Sequence, residues 1–178
     1  RDSLGERYAE LDIDPQAIAA ASLAQVHLAR IRANGEWICL KLQYPGLRQV
    51  IDGDFDAVVR MLLLARWVKA GRELDDWLED MRKQLHLEVD YLHEARMTQR
   101  MAALVAGDSR YVVPKVYPAL SSSTVLALEY VPGEMITGAR VAQLPLARRN
   151  QLATAMLDLF LNEVFAWDLM QTDPNFGN

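Results

Sequence analysis

The 178-residue chain carries 19 Lys and Arg against 24 Asp and Glu, a formal charge of −5, with 51% hydrophobic and 24% charged residues. That balance belongs to a folded chain rather than a disordered one, and the scattering of both signs leaves neither a nucleic-acid footprint nor a basic membrane-binding patch. The single cysteine, Cys39, excludes an internal disulfide or thiolate metal cluster, fits a reducing compartment, and reads as a small core residue of an apolar strand.

The opening "RDSLGERYAELD" lacks the apolar run of a signal peptide. From Asp14 to Gly46 the pattern is strand-like: "AQVHLARI" and "WICLKLQY" alternate with period two around "RANGE", whose Asn34-Gly35 pair can supply the positive φ angles of a hairpin turn. Pro45-Gly46 ends the second strand, and Asp52 or Asp54 is placed to cap a helix running through Ala70. The stretches "VVRMLLLARWV" and "AMLDLFLNEVFAWDLM" are too short and too charged to span the roughly 20 residues of a bilayer, so both read as core helices.

A helical stretch runs from Leu74 to Leu104. Leu74, Leu78, Met81, Leu85 and Leu92 fall within about 60° of one another and define one apolar stripe. Glu88 lies inside it, whereas Glu94 shares the opposite side with Met97, Met101 and Leu104. The buried face therefore changes around "EVDYLHEA", through a bend or through burial on both sides. Two strand candidates follow, "YVVPKVYPAL" and "SSSTVLALEYVPG", the second stopped by Pro132-Gly133. "LARRNQLATAMLDLFLNEVFAWDLM" is helical by period and apolar nearly all round near its end, as the buried central helix of a helical lobe would be. The order is that of a protein-kinase-like α+β fold, a small mixed N-lobe over 1–131 and the start of a helical C-lobe over 132–178.

The chemistry-bearing residues fit that order. Lys41 interrupts an apolar strand, either as an edge lysine snorkelling to solvent or as the lysine that grips nucleotide phosphates under the control of a helix glutamate, for which Glu88 and Glu94 are both available. Asp173 and Asn178 have the five-residue spacing of a kinase catalytic loop, where the aspartate orients or deprotonates the acceptor and the asparagine holds a metal ion; ordinary turn chemistry is the alternative. "IAAASLAQVHLA" places alanines where a kinase carries a glycine-rich loop, which should be stiffer because a Cβ disfavours the left-handed conformation by roughly 1–2 kcal/mol. His27, His86 and His93 lack metal-ligand spacing, and the four Trp and seven Met read as packing residues.

Five motifs in order, "AAASLAQVH", "LKLQYPG", "LEVDYLHEA", "LEYVPGE" and "QTDPNFGN", resemble the UbiB (AarF-type) atypical protein-kinase-like family, over nearly the whole chain from Leu11. "QTDPN" resembles the subgroup of mitochondria and related bacteria. The resemblance implies that Lys41 is the phosphate lysine and Glu94 its partner. It implies that Ala19, Ala20, Ala21 and Ser22 form an alanine-rich nucleotide loop, and that Glu129, Tyr130 and Val131 form the hinge that meets adenine. Asp173 would be the catalytic aspartate, Asn178 a magnesium ligand, and Glu88 a regulatory contact to an upstream Lys-x-Gly-Gln element. That element would lie before Arg1 and an Asp-Phe-Gly segment after Asn178, so the chain is expected to be a segment of a longer protein, catalytically incomplete by itself.

Periodicity alone favours Glu88 as the partner of Lys41, and the motif match favours Glu94. For the intact protein the resemblance implies ATP or ADP with Mg2+ as cofactors. It also implies an ATPase or a small-molecule or lipid kinase acting in ubiquinone or other isoprenoid-lipid biosynthesis, with a quinone precursor, a membrane surface or biosynthetic proteins as partners and no nucleic acid. The implied location is the bacterial cytoplasm at the inner membrane, or the mitochondrial matrix side. An aminoglycoside- or choline-kinase-type phosphotransferase shares the Asp-x-x-x-x-Asn loop, and a non-catalytic nucleotide- or lipid-binding scaffold is the alternative from another class.

Overall fold

Alternating apolar residues build a four-stranded antiparallel sheet in sequence order, β1 (Leu11–Ala20), β2 (Ala24–Ile31), β3 (Trp37–Gln43) and β4 (Val125–Glu129). The computed structural model describes residues 3–20, 23–65 and 71–171. Two units divide the chain, Arg1–Gln99 with Pro114–Tyr130, and Arg100–Val113 with Val131–Asn178.

In the first unit, the turn between β2 and β3 takes its left-handed residue from Gly35 alone, at φ +77°. Asn34 acts instead through its side chain, accepting the Glu36 N–H at 3.0 Å. Ile38, Leu40 and Ala127 lie wholly buried on one face of the sheet, with Ala29, Val125, Leu11 and Leu120. Leu126 and Ala24 are buried on the other, against Tyr91, Ala95 and Val116. Each large side chain so buried contributes about 1.5–3 kcal/mol, which makes the sheet the main source of this unit's stability.

Three local expectations are corrected here. The alanine-rich segment is strand at its start: Ala19 and Ala20 close β1, paired with Val26 and Gln25, while Ala21 and Ser22 lie outside the described residues. "YVVPKVYPAL" forms only a bridge from Val116 to Leu128 and a 3-10 turn at Pro118–Leu120, because Pro114 and Pro118 offer no N–H to a ladder. The helix Leu47–Leu64 (α1) starts after Gly46, which has a φ of +75° and makes no side-chain cap, so Asp52 and Asp54 lie inside it and not at its end.

The stretch from Leu74 onward is two helices, Arg72–Glu88 (α2) and Tyr91–Val105 (α3), broken at Val89 and Asp90. The change of buried face is therefore a bend. Val89 is buried there, its carbonyl accepts Gln43 Nε2 at 2.8 Å, and Asp90 caps α3 by accepting the Leu92 N–H at 3.1 Å.

α1 is not a core helix. None of its residues is buried, and Leu64 is 85% exposed. Its polar side meets α2 through Arg82, which donates to Asp52 and Asp56 and stacks over Phe55 at 4.8 Å, and through His86, 2.9 Å from Asp52. Partial burial pushes the Asp52 carboxyl upward, but the hydrogen bonds from His86 and Arg82 outweigh it and hold the group below its usual range.

In the second unit, Ala139–Ala142 (α4) precedes the long helix Leu146–Phe165 (α5). Arg110 donates to Asp108 and Asp158, and the Tyr111 hydroxyl to the Ala155 carbonyl at 2.7 Å, which ties residues 108–111 to α5. The expectation of a buried central helix is corrected: only Ala155 and Glu163 of α5 are buried, and Leu157, Phe160, Leu161, Val164 and Phe165 are exposed. An all-round apolar helix needs neighbours on every side, and the described residues supply them on part of its surface. Arg100, on the last turns of α3, donates to the carbonyls of Trp167 and Asp168 at 3.2 and 3.3 Å. Asp168 holds a left-handed φ of +49°.

Candidate nucleotide site

β3 runs through the middle of the sheet, and its residue Lys41 pairs with Val26 on one side and Leu126 on the other. Directly opposed residues share a face, so Lys41 projects on the face that α3 covers. Its ammonium donates to both carboxylate oxygens of Glu94, each at 2.8 Å, and lies 4.9 Å from the centre of the Tyr91 ring. Lys41 is thus not a snorkelling edge lysine.

The pair is half open, with 35% and 37% of the two side chains exposed. A pair so placed stabilises a fold by about 0–1 kcal/mol, less than an apolar residue packed at the same spot. Fold stability therefore does not account for a lysine on the central strand. What the geometry does supply is a fixed positive charge: two of its three N–H groups are held by Glu94, and the third is available to an anion.

Tyr91 is a site residue that sequence reasoning passed over, although it stands inside the "DYLHEA" motif. Burial first, and the Glu94 charge second, push its hydroxyl up to about 12. The folded state therefore holds this proton more tightly than the unfolded chain. Tyr91 contributes stability below the unfolded value of 10.0 that is lost as pH rises through the folded one. Plotted against pH from 9 to 11, the urea midpoint of Tyr91→Phe should fall less steeply than that of the unsubstituted protein. Parallel curves would show that the hydroxyl is not held neutral by the fold.

Gln43, two residues along β3 on the same face, was also passed over. Its amide holds the Val89 carbonyl at the bend between α2 and α3, so one strand carries both the lysine and a brace for the helix that supplies its glutamate. Glu88 does not join them. It ends α2 exposed, because the bend at Val89 takes α3 away from the α2 stripe.

The segment expected to be the hinge, Glu129 to Val131, begins at the end of β4. Glu129 ends β4, and its N–H donates to the Lys115 carbonyl at 2.8 Å while its carboxylate accepts the Lys115 N–H. The Tyr130 N–H donates to the Trp37 carbonyl at 3.2 Å. Val131 is exposed and belongs to the second unit. Asp173 and Asn178 lie outside the described residues. Burial raises the Cys39 thiol, as suits a packed strand residue.

An antiparallel sheet with a lysine on its third strand, clasped by a glutamate from a helix lying on that face, is the arrangement of the small lobe of a protein-kinase-like fold. The solved structure of the Rv3197–erythromycin complex from Mycobacterium tuberculosis has the same fold, with a TM-score of 0.79 at 24% identity over 99% of this chain and 44% of that one. Residues 2–178 match the ABC1 atypical kinase-like domain, and the chain belongs to that family.

Among curated relatives, it is 36% identical over 171 residues to the atypical kinase COQ8, mitochondrial, of Schizosaccharomyces pombe, covering 96% of this chain and 27% of the relative. It is 35% identical over 180 residues to atypical kinase coq-8, mitochondrial, of Caenorhabditis elegans, covering 100% and 23%, and 31% identical over 175 residues to COQ8 of Saccharomyces cerevisiae, covering 97% and 33%. The chain spans about a quarter to a third of the length of these relatives. Among the described residues no helix is long and apolar enough to cross a membrane.

Proposed function

We propose that the intact protein binds ATP on the Lys41 face of the sheet and hydrolyses it, or transfers its phosphoryl group to a lipid or other small molecule, in support of ubiquinone or related isoprenoid-lipid biosynthesis. One observation carries the nucleotide half of this reading: the ammonium that Glu94 and Tyr91 hold on the central strand, with a donor left for phosphate oxygen. Family membership and the COQ8 names of the relatives support the biosynthetic half.

In this reading Lys41 orients the α- and β-phosphates and Glu94 keeps the lysine extended toward them. Ala19 to Ser22 would offer backbone N–H groups to the phosphates, Glu129 to Val131 would offer backbone groups to the base, and Asp173 would orient the acceptor. Asn178 has the hard oxygen donor that magnesium takes, and the bound ion would neutralise phosphate charge. Phosphoryl transfer asks little covalent chemistry of the protein, so positioning and electrostatics carry the rate.

The test is ATP turnover by the intact protein, followed as phosphate release and as phosphorylated product in the presence of quinone-precursor lipids. Turnover abolished by Asp173→Asn is the expected result. A phosphorylated water-soluble product would move the protein to the aminoglycoside- or choline-kinase class. Nucleotide binding with no turnover under any of these conditions would leave a scaffold and overturn the enzymatic reading.

A further inference from the structure

β1 does not run evenly beside β2. Ile13 pairs with Ala29 and Ala17 pairs with His27, so β1 advances four residues while β2 advances two, and a second shift follows between Ala17 and Ala19. The excess falls on Asp14, Pro15 and Gln16. Pro15 has no N–H for a ladder bond, which makes this the natural place for a bulge. Asp14 shapes it from within by accepting the Gln16 N–H on its side chain at 2.8 Å.

What joins the bulge to the rest of the sheet is the His27 side chain. The imidazole is 9% exposed, on β2 between Ala17 and Leu40, and its Nδ1 lies 2.9 Å from the Asp14 carbonyl. A carbonyl can only accept, so Nδ1 carries the proton and donates. Nε2 lies 3.3 Å from the end of the Gln25 amide, whose nitrogen and oxygen ends are interchangeable by rotation. His27 therefore replaces the missing ladder bond with a side-chain bond.

That bond lies three residues before Ala17, and after the second shift β1 returns to one-to-one pairing, Ala19 with Val26 and Ala20 with Gln25. Val26 also pairs with Lys41, so Ala19 stands in one row with the lysine across β2, and the bulge sets how far β1 has advanced when it reaches that row. We propose that His27 is a positioning residue for nucleotide phosphate: by holding the Asp14 carbonyl through Nδ1 it fixes the path of Ala19 and Ala20, at the end of β1, relative to Lys41 on β3. The proposal rests on the nucleotide reading above and adds to it a residue outside the lysine, glutamate and catalytic-loop set.

The atom that does the holding makes the test specific. An asparagine at position 27 can place an N–H where Nδ1 stands, whereas a glutamine reaches only to the place of Nε2. The intact protein and its His27→Asn, His27→Gln and Gln25→Leu variants are compared by calorimetric titration with ADP and by hydrogen exchange of the Ala17, Ala19 and Ala20 amides. His27→Asn and Gln25→Leu should keep the ADP Kd within about twofold. His27→Gln should raise it about tenfold, as for one lost and well-placed hydrogen bond, with faster exchange at all three amides.

A packing role alone would lower the unfolding midpoint of both histidine variants and leave Kd and the Asn–Gln difference unmoved. That result, or a tenfold loss in Gln25→Leu, overturns the proposal. Should the unsubstituted protein bind no ADP, the nucleotide reading falls and the phosphate role falls with it. The exchange arm would still decide separately whether Nδ1 holds the bulge, and equal exchange in all four proteins would overturn that as well.

Discussion

Glu94→Gln raises the Kd for ADP of the intact protein about tenfold, and Glu88→Gln leaves it within about twofold, since the first replaces a charge-assisted hydrogen bond by a neutral one and the second changes an exposed residue. The asymmetry comes from the bidentate contact of Lys41 with Glu94 at 2.8 Å and from the bend that ends α2 at Glu88. Without the full carboxylate charge the ammonium of Lys41 is free to leave the phosphate position, so binding weakens even though the fold persists. Calorimetric titration of both variants checks this. The reverse ranking would assign the lysine's partner to the upstream carboxylate that periodicity favours.

Leu126→Ala lowers stability by about 2–5 kcal/mol, a large share of the roughly 5–15 kcal/mol typical of a domain. Leu126 is fully buried, opposite Lys41 in register, and in one cluster with Tyr91 and Ala95 of α3. Its truncation leaves a cavity under the helix that supplies Glu94. In urea the midpoint should fall while the slope stays constant, the mark of lost stability without a changed unfolded state. Leu64→Ala on α1, where the side chain is 85% exposed, should move stability by no more than about 0.5 kcal/mol. Equal losses in the two variants would show that the α1 face is covered in the intact protein.

The contrast between these leucines also marks what could be read from sequence. Period two in "AQVHLARI" and "WICLKLQY" identifies β2 and β3, because alternation on a half-buried sheet is a local pattern. β1 hides its alternation behind Pro15 and the bulge, and "YVVPKVYPAL" mimics a strand whose ladder its prolines forbid. The apolar stripes of α1 and α5 are real, yet a stripe states only that a face is apolar, not what lies against it. Both helices were expected in the core, and both present that face outward among the described residues.

Lys41 was legible because a lysine within an apolar strand requires a reason. Choosing Glu94 over Glu88 needed the family motif, since the break at Val89-Asp90 resets the helical phase and carries no proline or glycine to announce it. Gln43, Tyr91 and His27 were not legible as site neighbours. Their partners are a backbone carbonyl at a bend, an ammonium ion and a backbone carbonyl in a bulge, and such contacts exist only once the chain is folded.

The central claim is that the Lys41 face of the sheet holds nucleotide phosphate. Its most direct test is thermal unfolding of the intact protein at an ADP concentration about 100 times the Kd, beside a Lys41→Ala variant under the same conditions. ADP should add roughly 2.7 kcal/mol to the unsubstituted protein by mass action and leave the variant unmoved. Equal stabilisation of both proteins would place the nucleotide elsewhere and contradict the account.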